Sequence, residues 1–147
     1  MRGVRPTKTV EEAQCCAEKM GYHWTTNTDS SLRFDAFIFR SAVISALKVK
    51  KIRHPVDENK FVEKLFPDEV DELRSLPLPP HVLREFWIRT QNERAWRRFY
   101  ILPDTTAEIG FNRGEGYVNP HFREDEWKQS LQYEIARYSI KDGMLEK

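Results

Sequence analysis

The sequence predicts an α/β domain in which a mixed β-sheet of about five strands is flanked by helices, with a further helix at the C-terminal end. Three observations predict it. Residues 32–39 alternate with a period of two, and residues 43–52 form a second run rich in β-branched side chains. Apolar residues recur at helical spacing before and after these runs. The resulting order is helix, three strands, helices, two strands.

The first helix opens at Thr9, whose pairing with Glu12 three residues later has the form of a capping box, and it ends at Gly21. Val10, Ala13, Ala17 and Met20 form its apolar face. Residues 22–26 read as a short strand and 27–31 as a polar turn. In the run that follows, Leu32, Phe34, Ala36 and Ile38 share one face and Arg33, Asp35, Phe37 and Phe39 the other. Only Arg40, Ser41 and Ala42 separate it from residues 43–52, so the two runs read as an antiparallel hairpin that lacks the usual turn glycine.

Asp57 is placed to cap a helix carrying Phe61 and Leu65, and Pro67 suits the first position of the next. Asp68 and Glu69 sit in the positive first turn of that second helix, while Val70, Leu73 and Leu76 recur at helical spacing. Residues 82–89 and 96–102 are the last two strand candidates. Gly110, Gly114, Gly116 and Pro120 mark an irregular connection, after which Trp127, Leu131, Ile135 and Tyr138 form the stripe of a final helix from Glu124 to Lys141. This divides the chain into an α/β core, 1–103, and a tail, 104–147, whose helix packs on the core or on a second subunit.

A chain of 147 residues is long enough to bury one real core. Its net charge of +1 conceals segregation, since Arg33, Arg40, Lys48, Lys50, Lys51 and Arg53 stand against Asp35 alone in the hairpin. Residues 57–76 are acidic, with Asp57, Glu58, Glu63, Asp68, Glu69, Asp71 and Glu72 against Lys60, Lys64 and Arg74. Local fields of this kind steer anionic partners whatever the total charge. Cys15 and Cys16 are adjacent and staple nothing together, and no apolar run approaches the ~18 residues that cross a bilayer, so a soluble, cytoplasmic protein is expected. His23, His54, His81 and His121 lack metal-ligand spacing, and there is neither a Gly-rich phosphate loop nor a G-x-S-x-G serine.

The element order, with Asp35 in RFDAF on the second strand and the lysine pair of LKVK on the third, resembles the core of the PD-(D/E)XK nuclease superfamily, the fold of type II restriction enzymes and archaeal Holliday junction resolvases. The resemblance spans roughly residues 9–102 and implies a restriction-endonuclease-like core. It also implies a site in which a helix glutamate, a strand aspartate and an E-x-K triplet surround Mg²⁺, which orients water and offsets charge on the scissile phosphate. By position Asp35 is the aspartate and metal ligand, Lys50 or, in a shifted frame, Lys48 is the motif lysine, and Glu12 or Glu18 is the helix carboxylate. The sequence departs from the pattern where an acidic residue belongs two positions before the lysine: that residue is Lys48, or Ala46 in the shifted frame. Slow or absent Mg²⁺-dependent cleavage is therefore expected. Asp35 has a second reading, as an ion-pair partner of Arg33 or of one of the lysines.

Nucleic acid, DNA first, is the expected partner. Lys48, Lys50, Lys51 and Arg53 suit phosphates, and Arg84, Arg89, Arg94, Arg97 and Arg98 interleave with aromatic residues, so the two groups are expected to share one basic surface. Trp87 and Phe99 are expected in the core. The competing expectation is a non-enzymatic interaction protein that forms a homodimer through its C-terminal helix.

Overall fold

The computed structural model describes residues 7–55, 61–93, 95–108, 111–112, 117–118 and 124–145. Helix α1 (Thr7–Lys19) presents Ala13 and Ala17, both fully buried, to the sheet, with Val10, Cys16 and Met20 beside them. Its end follows from Gly21, whose φ of 91° lets the Gly21 N–H bond the Glu18 carbonyl at 3.0 Å and the Tyr22 N–H bond the Ala17 carbonyl at 3.0 Å. The expected start is corrected. Thr9 lies inside the helix and is buried, and Glu12 turns away from a capping box to pair with Arg89.

Six strands form one sheet in sequence order: β1 (His23–Thr26), β2 (Ala36–Arg40), β3 (Val43–Ile52), β4 (Leu83–Thr90), β5 (Arg97–Ile101) and β6 (Thr106–Glu108). Every neighbouring pair is antiparallel except β3 and β4. A parallel pair needs a long crossover, here carried by α2 (Val62–Leu65) and α3 (Pro67–Arg74). A separate two-stranded ladder joins β7 (Phe111–Asn112) to β8 (Tyr117–Val118). The last element is α4 (Glu124–Leu145).

Alternation along the strands divides the interior in two. Ala46, Phe86, Ile88 and Phe99 pack against Val62, Val70 and Leu73 of α2 and α3. Leu47, Val49 and Trp87 pack on the other face, against α1, and α4 covers Leu83 and Tyr100 on that same face.

Where strand β2 begins differs from expectation. Residues 32–35 are not strand, and Phe34, expected to share a face with Ile38, joins the opposite cluster. The reason is local: the Asn27 side-chain amide donates to the carbonyls of Asp29, Leu32 and Phe34 at 3.1, 3.1 and 2.9 Å, gathering that segment into a loop. The hairpin itself forms, with Arg40 opposite Val43, and Ser41 takes the left-handed conformation that glycine would otherwise supply (φ 51°). The sheet also extends one strand beyond the expected five, because Arg97 holds Glu108 of β6 through two bonds of 2.7 Å. Asp57, Gly110, Gly114, Gly116 and Pro120 lie outside the described residues.

Helix α4 lies on its own sheet, with Trp127, Leu131 and Ile135 half-buried against Leu83, Tyr100 and Leu102. The Tyr138 side chain lies outside the described residues. Contacts of α4 and β6 with β3, β4 and β5 cross the 103/104 division.

Gly21→Ala tests the end of α1. An added Cβ meets only Arg40 Nη1 at 3.7 Å, so the cost is conformational: about 1–2 kcal/mol of stability by urea denaturation.

Candidate nucleic-acid interface

Strand β3 carries its basic residues on two sides. Lys48 and Lys50 lie on the α2/α3 face, since they alternate with Leu47 and Val49 of the other face. Helix α3 answers them with two carboxylates, Lys48 Nζ lying 3.0 Å from Glu72 Oε1 and Lys50 Nζ 2.7 Å from Glu69 Oε2. Arg33 Nε reaches Glu72 at 3.8 Å, and Lys50 Nζ stands 5.4 Å from the centre of the Phe66 ring. The sequence marks Glu69 only as a charge in a helix first turn. Its spacing with Glu72, three residues apart and flanking the buried Val70 and Leu73, is the signal that both face the sheet.

Lys51 and Arg53 are exposed and, among the described residues, have no acidic partner. They line a cleft of about 550 Å³ with Lys50, Ile52, Gln91 and Thr9. The cleft lies where the parallel pair ends, as Ile52 is in register with Thr90 and the Gln91 N–H bonds the Ile52 carbonyl at 2.7 Å. Thr9 brings the first turn of α1, the positive end of that helix dipole, to the same place.

The arginines of β4 and β5 are spent on the fold. Arg84 donates to the carbonyls of Leu73, Leu76, Leu78, Pro79 and Val82, and burial lowers its pKa from the ordinary arginine value. Arg89 pairs with Glu12 and donates to the Glu93 carbonyl at 2.8 Å. Arg97 is clamped by Glu108, and Arg98 bonds Glu124 at 2.7 Å. Arg94 lies outside the described residues. Trp87 and Phe99 are buried as expected, but the single basic surface is corrected. Arg98 is opposite Trp87 in the ladder and Arg97 opposite Ile88, so these two neighbours emerge on different faces, Arg98 away from Lys48 and Lys50.

The residues matched to a catalytic set also diverge. Asp35 Oδ2 accepts the Val49 backbone N–H at 2.8 Å, doing for β3 what a strand carbonyl would do. Glu12 is held by Arg89, and Glu18, exposed, accepts from Gln14 at 3.5 Å. Among the described residues no group of three or more His, Cys, Asp and Glu side chains is arranged to hold a metal. Mg²⁺ requires oxygen ligands in octahedral geometry, whereas Asp35 Oδ2 is engaged by the Val49 backbone N–H and the Glu72 and Glu69 carboxylates of α3 are paired to Lys48 and Lys50. This donor set does not fit the ion.

Two solved structures are similar to this chain. Hjc, a Holliday junction resolvase from the archaeal hyperthermophile Archaeoglobus fulgidus, is similar with a TM-score of 0.48 and 16% identity, over 70% of this chain and 81% of that one. A bacterial homing endonuclease, I-Ssp6803I, is similar with a TM-score of 0.44 and 12% identity, over 90% of this chain and 94% of that one. The sequence matches no protein-family model and no curated protein sequence. At this level of likeness no residue correspondence follows, so the site is argued from this chain's own geometry.

The α1/α4 face of the sheet holds a polar network that the sequence does not announce. Glu85 and Lys128 are both 0% exposed, and Lys128 Nζ lies 2.9 Å from Glu85 Oε2 and 2.6 Å from the Tyr22 hydroxyl. The Trp87 indole N–H bonds the other Glu85 oxygen at 3.0 Å. Tyr22 donates to Glu124 at 2.7 Å, and Glu124 also binds Arg40 and Arg98, each at 2.7 Å, while Arg40 reaches Asp125 at 2.8 Å. Burial and the neighbouring carboxylates of Glu85 and Glu124 push the Tyr22 phenol far above its usual range, so it remains a donor. Burial alone would raise the Glu85 pKa, but the Lys128 charge and the hydrogen bonds it accepts leave it below the ordinary glutamate value. No titratable spacing in the sequence points to this pair, because a lysine inside an apolar stripe reads as a flank of that stripe.

Lys128→Met, which leaves Glu85 buried without its counter-charge, is expected to cost about 3–5 kcal/mol in chemical denaturation, and Glu85→Gln in the same chain to restore much of it. Because the Glu85 pKa is depressed by folding, its contribution is present above the ordinary glutamate value and is lost as pH falls through the folded value. Denaturation midpoints followed from neutral pH to below about pH 4 should therefore converge for wild type and the double variant.

Proposed function

We propose that this chain binds nucleic acid, duplex DNA being the ligand to test first, through the cleft at the ends of β3 and β4, and that it binds without cleaving. The observation that carries the reading is the selective exposure of Lys51 and Arg53. Among the described residues, most basic side chains of the sheet are matched to a carboxylate or a carbonyl of the chain, whereas these two meet solvent together at a cleft of about 550 Å³. Phosphate contacts of this kind supply affinity and register without reading sequence. The absence of cleavage follows from chemistry already described: Asp35 serves β3, and lysines stand where a second strand ligand for Mg²⁺ belongs. The apolar stripe of α4 packs on its own sheet as far as Ile135, which favours binding by a single chain over the reading in which that helix holds a second copy.

Fluorescence anisotropy with a labelled duplex over a salt series tests the binding. Lys51→Ala/Arg53→Ala should weaken it and flatten the plot of log affinity against log salt by about 0.9 for each phosphate that is no longer neutralised. An unchanged affinity and slope would remove the cleft from the interface. For catalysis, supercoiled plasmid incubated with Mg²⁺ should stay intact; nicking that disappears in Asp35→Asn would show that a metal site assembles after all.

A further inference from the structure

We infer that α3 is an internal competitor for nucleic acid, its Glu69 and Glu72 carboxylates occupying the positions that phosphates would take at Lys50 and Lys48. The inference rests on the binding reading above and goes on to say what controls its strength. Three features lead to it. First, the carboxylate oxygens sit at 2.7 and 3.0 Å from the two ammonium nitrogens, the distances that a phosphate oxygen would adopt. Second, each pair has one partner open to solvent: Lys50 is 42% exposed against 16% for Glu69, and Glu72 is 35% exposed against 19% for Lys48, so an anion in solution can approach both pairs from one side. In a part-buried pair the lysine keeps an anionic partner when a phosphate oxygen replaces the carboxylate, so the exchange leaves no ammonium unpaired. Third, Lys50 belongs both to the Glu69 pair and to the wall of the cleft bearing Lys51 and Arg53, so a backbone lying in that cleft passes beside the pair.

An anionic ligand that enters the cleft therefore engages Lys51 and Arg53 at once, but gains Lys50 and Lys48 only by displacing a carboxylate of α3. The consequence is a binding site with two grades of strength, set by one face of one helix. Glu69 and Glu72 act here as positioning residues, since their effect is exerted through the lysines and not by touching the ligand.

The test is a cycle of variants measured by anisotropy on one labelled duplex at several salt concentrations, with thermal melts to show that each variant folds. Glu69→Gln/Glu72→Gln should bind several-fold more tightly than wild type, with a salt slope steeper by about 0.9 for each lysine released. The exposed Asp68→Asn/Asp71→Asn pair changes the charge of the same helix equally without touching a lysine, and should give a smaller gain at unaltered slope. In a Lys48→Ala/Lys50→Ala background the gain from the glutamine variants should vanish. Wild type binding with no change in the glutamine variant overturns the inference and leaves the binding reading standing, as does a gain that persists without the lysines. No binding by either wild type or the glutamine variant overturns both, whereas binding gained only in the glutamine variant supports the competitor.

Discussion

The buried pair of Glu85 and Lys128 is the constraint on which the other arrangements of this chain depend. It lies between the centre of the sheet and the last helix, and it draws in Tyr22 at the exit of α1. Through Tyr22 and Glu124 it is linked to Arg40 at the β2–β3 turn and to Arg98 of β5. Two ions taken out of water cost several kcal/mol each before their attraction is counted, so the pair is tolerated only because its remaining hydrogen-bonding capacity is met by Tyr22 and the Trp87 indole. That requirement fixes α4 in rotation and in height, something the half-buried contacts of Trp127, Leu131 and Ile135 alone leave loose.

The same demand for partners accounts for the arginines of β4 and β5. Arg84 replaces absent secondary structure between α3 and β4 by collecting five carbonyls, Arg97 attaches an edge strand, and Arg98 serves the buried network. Composition cannot distinguish a cation that faces solvent from one consumed in this way. The distinction is made by parity along a strand and by what the opposing helix carries, which is why neighbours such as Lys50 and Lys51 meet different fates.

Much of the fold was legible. The apolar face of α1, the hairpin, Pro67 at the head of α3 and the strand pair around Trp87 and Phe99 follow from periodicity and turn chemistry, both of which are local. Elements set by individual side-chain hydrogen bonds and by helix starts, and not by periodicity, were less legible. The first residues expected of β2 are held as a loop by Asn27, β6 exists because Glu108 finds Arg97, and Thr9 is enclosed in a helix that starts before it. At the site, the lysine pair could be read as strand residues on one face. Their neutralisation by Glu69 and Glu72, the diversion of Asp35 to a backbone N–H and the divergence of Arg97 from Arg98 all required the register between elements.

The distance in sequence between the two buried ions also bears on the order in which the chain can close. Glu85 precedes Lys128 by 43 residues, so a growing chain completes β4 and β5 while the sheet centre holds a carboxylate with no counter-ion. Until α4 has been synthesised that carboxylate favours water over the interior, and the strands flanking it are held back from closing. A chain without α4 would hold the Glu85 carboxylate in the sheet with no counter-ion and would leave Leu83 and Tyr100 uncovered.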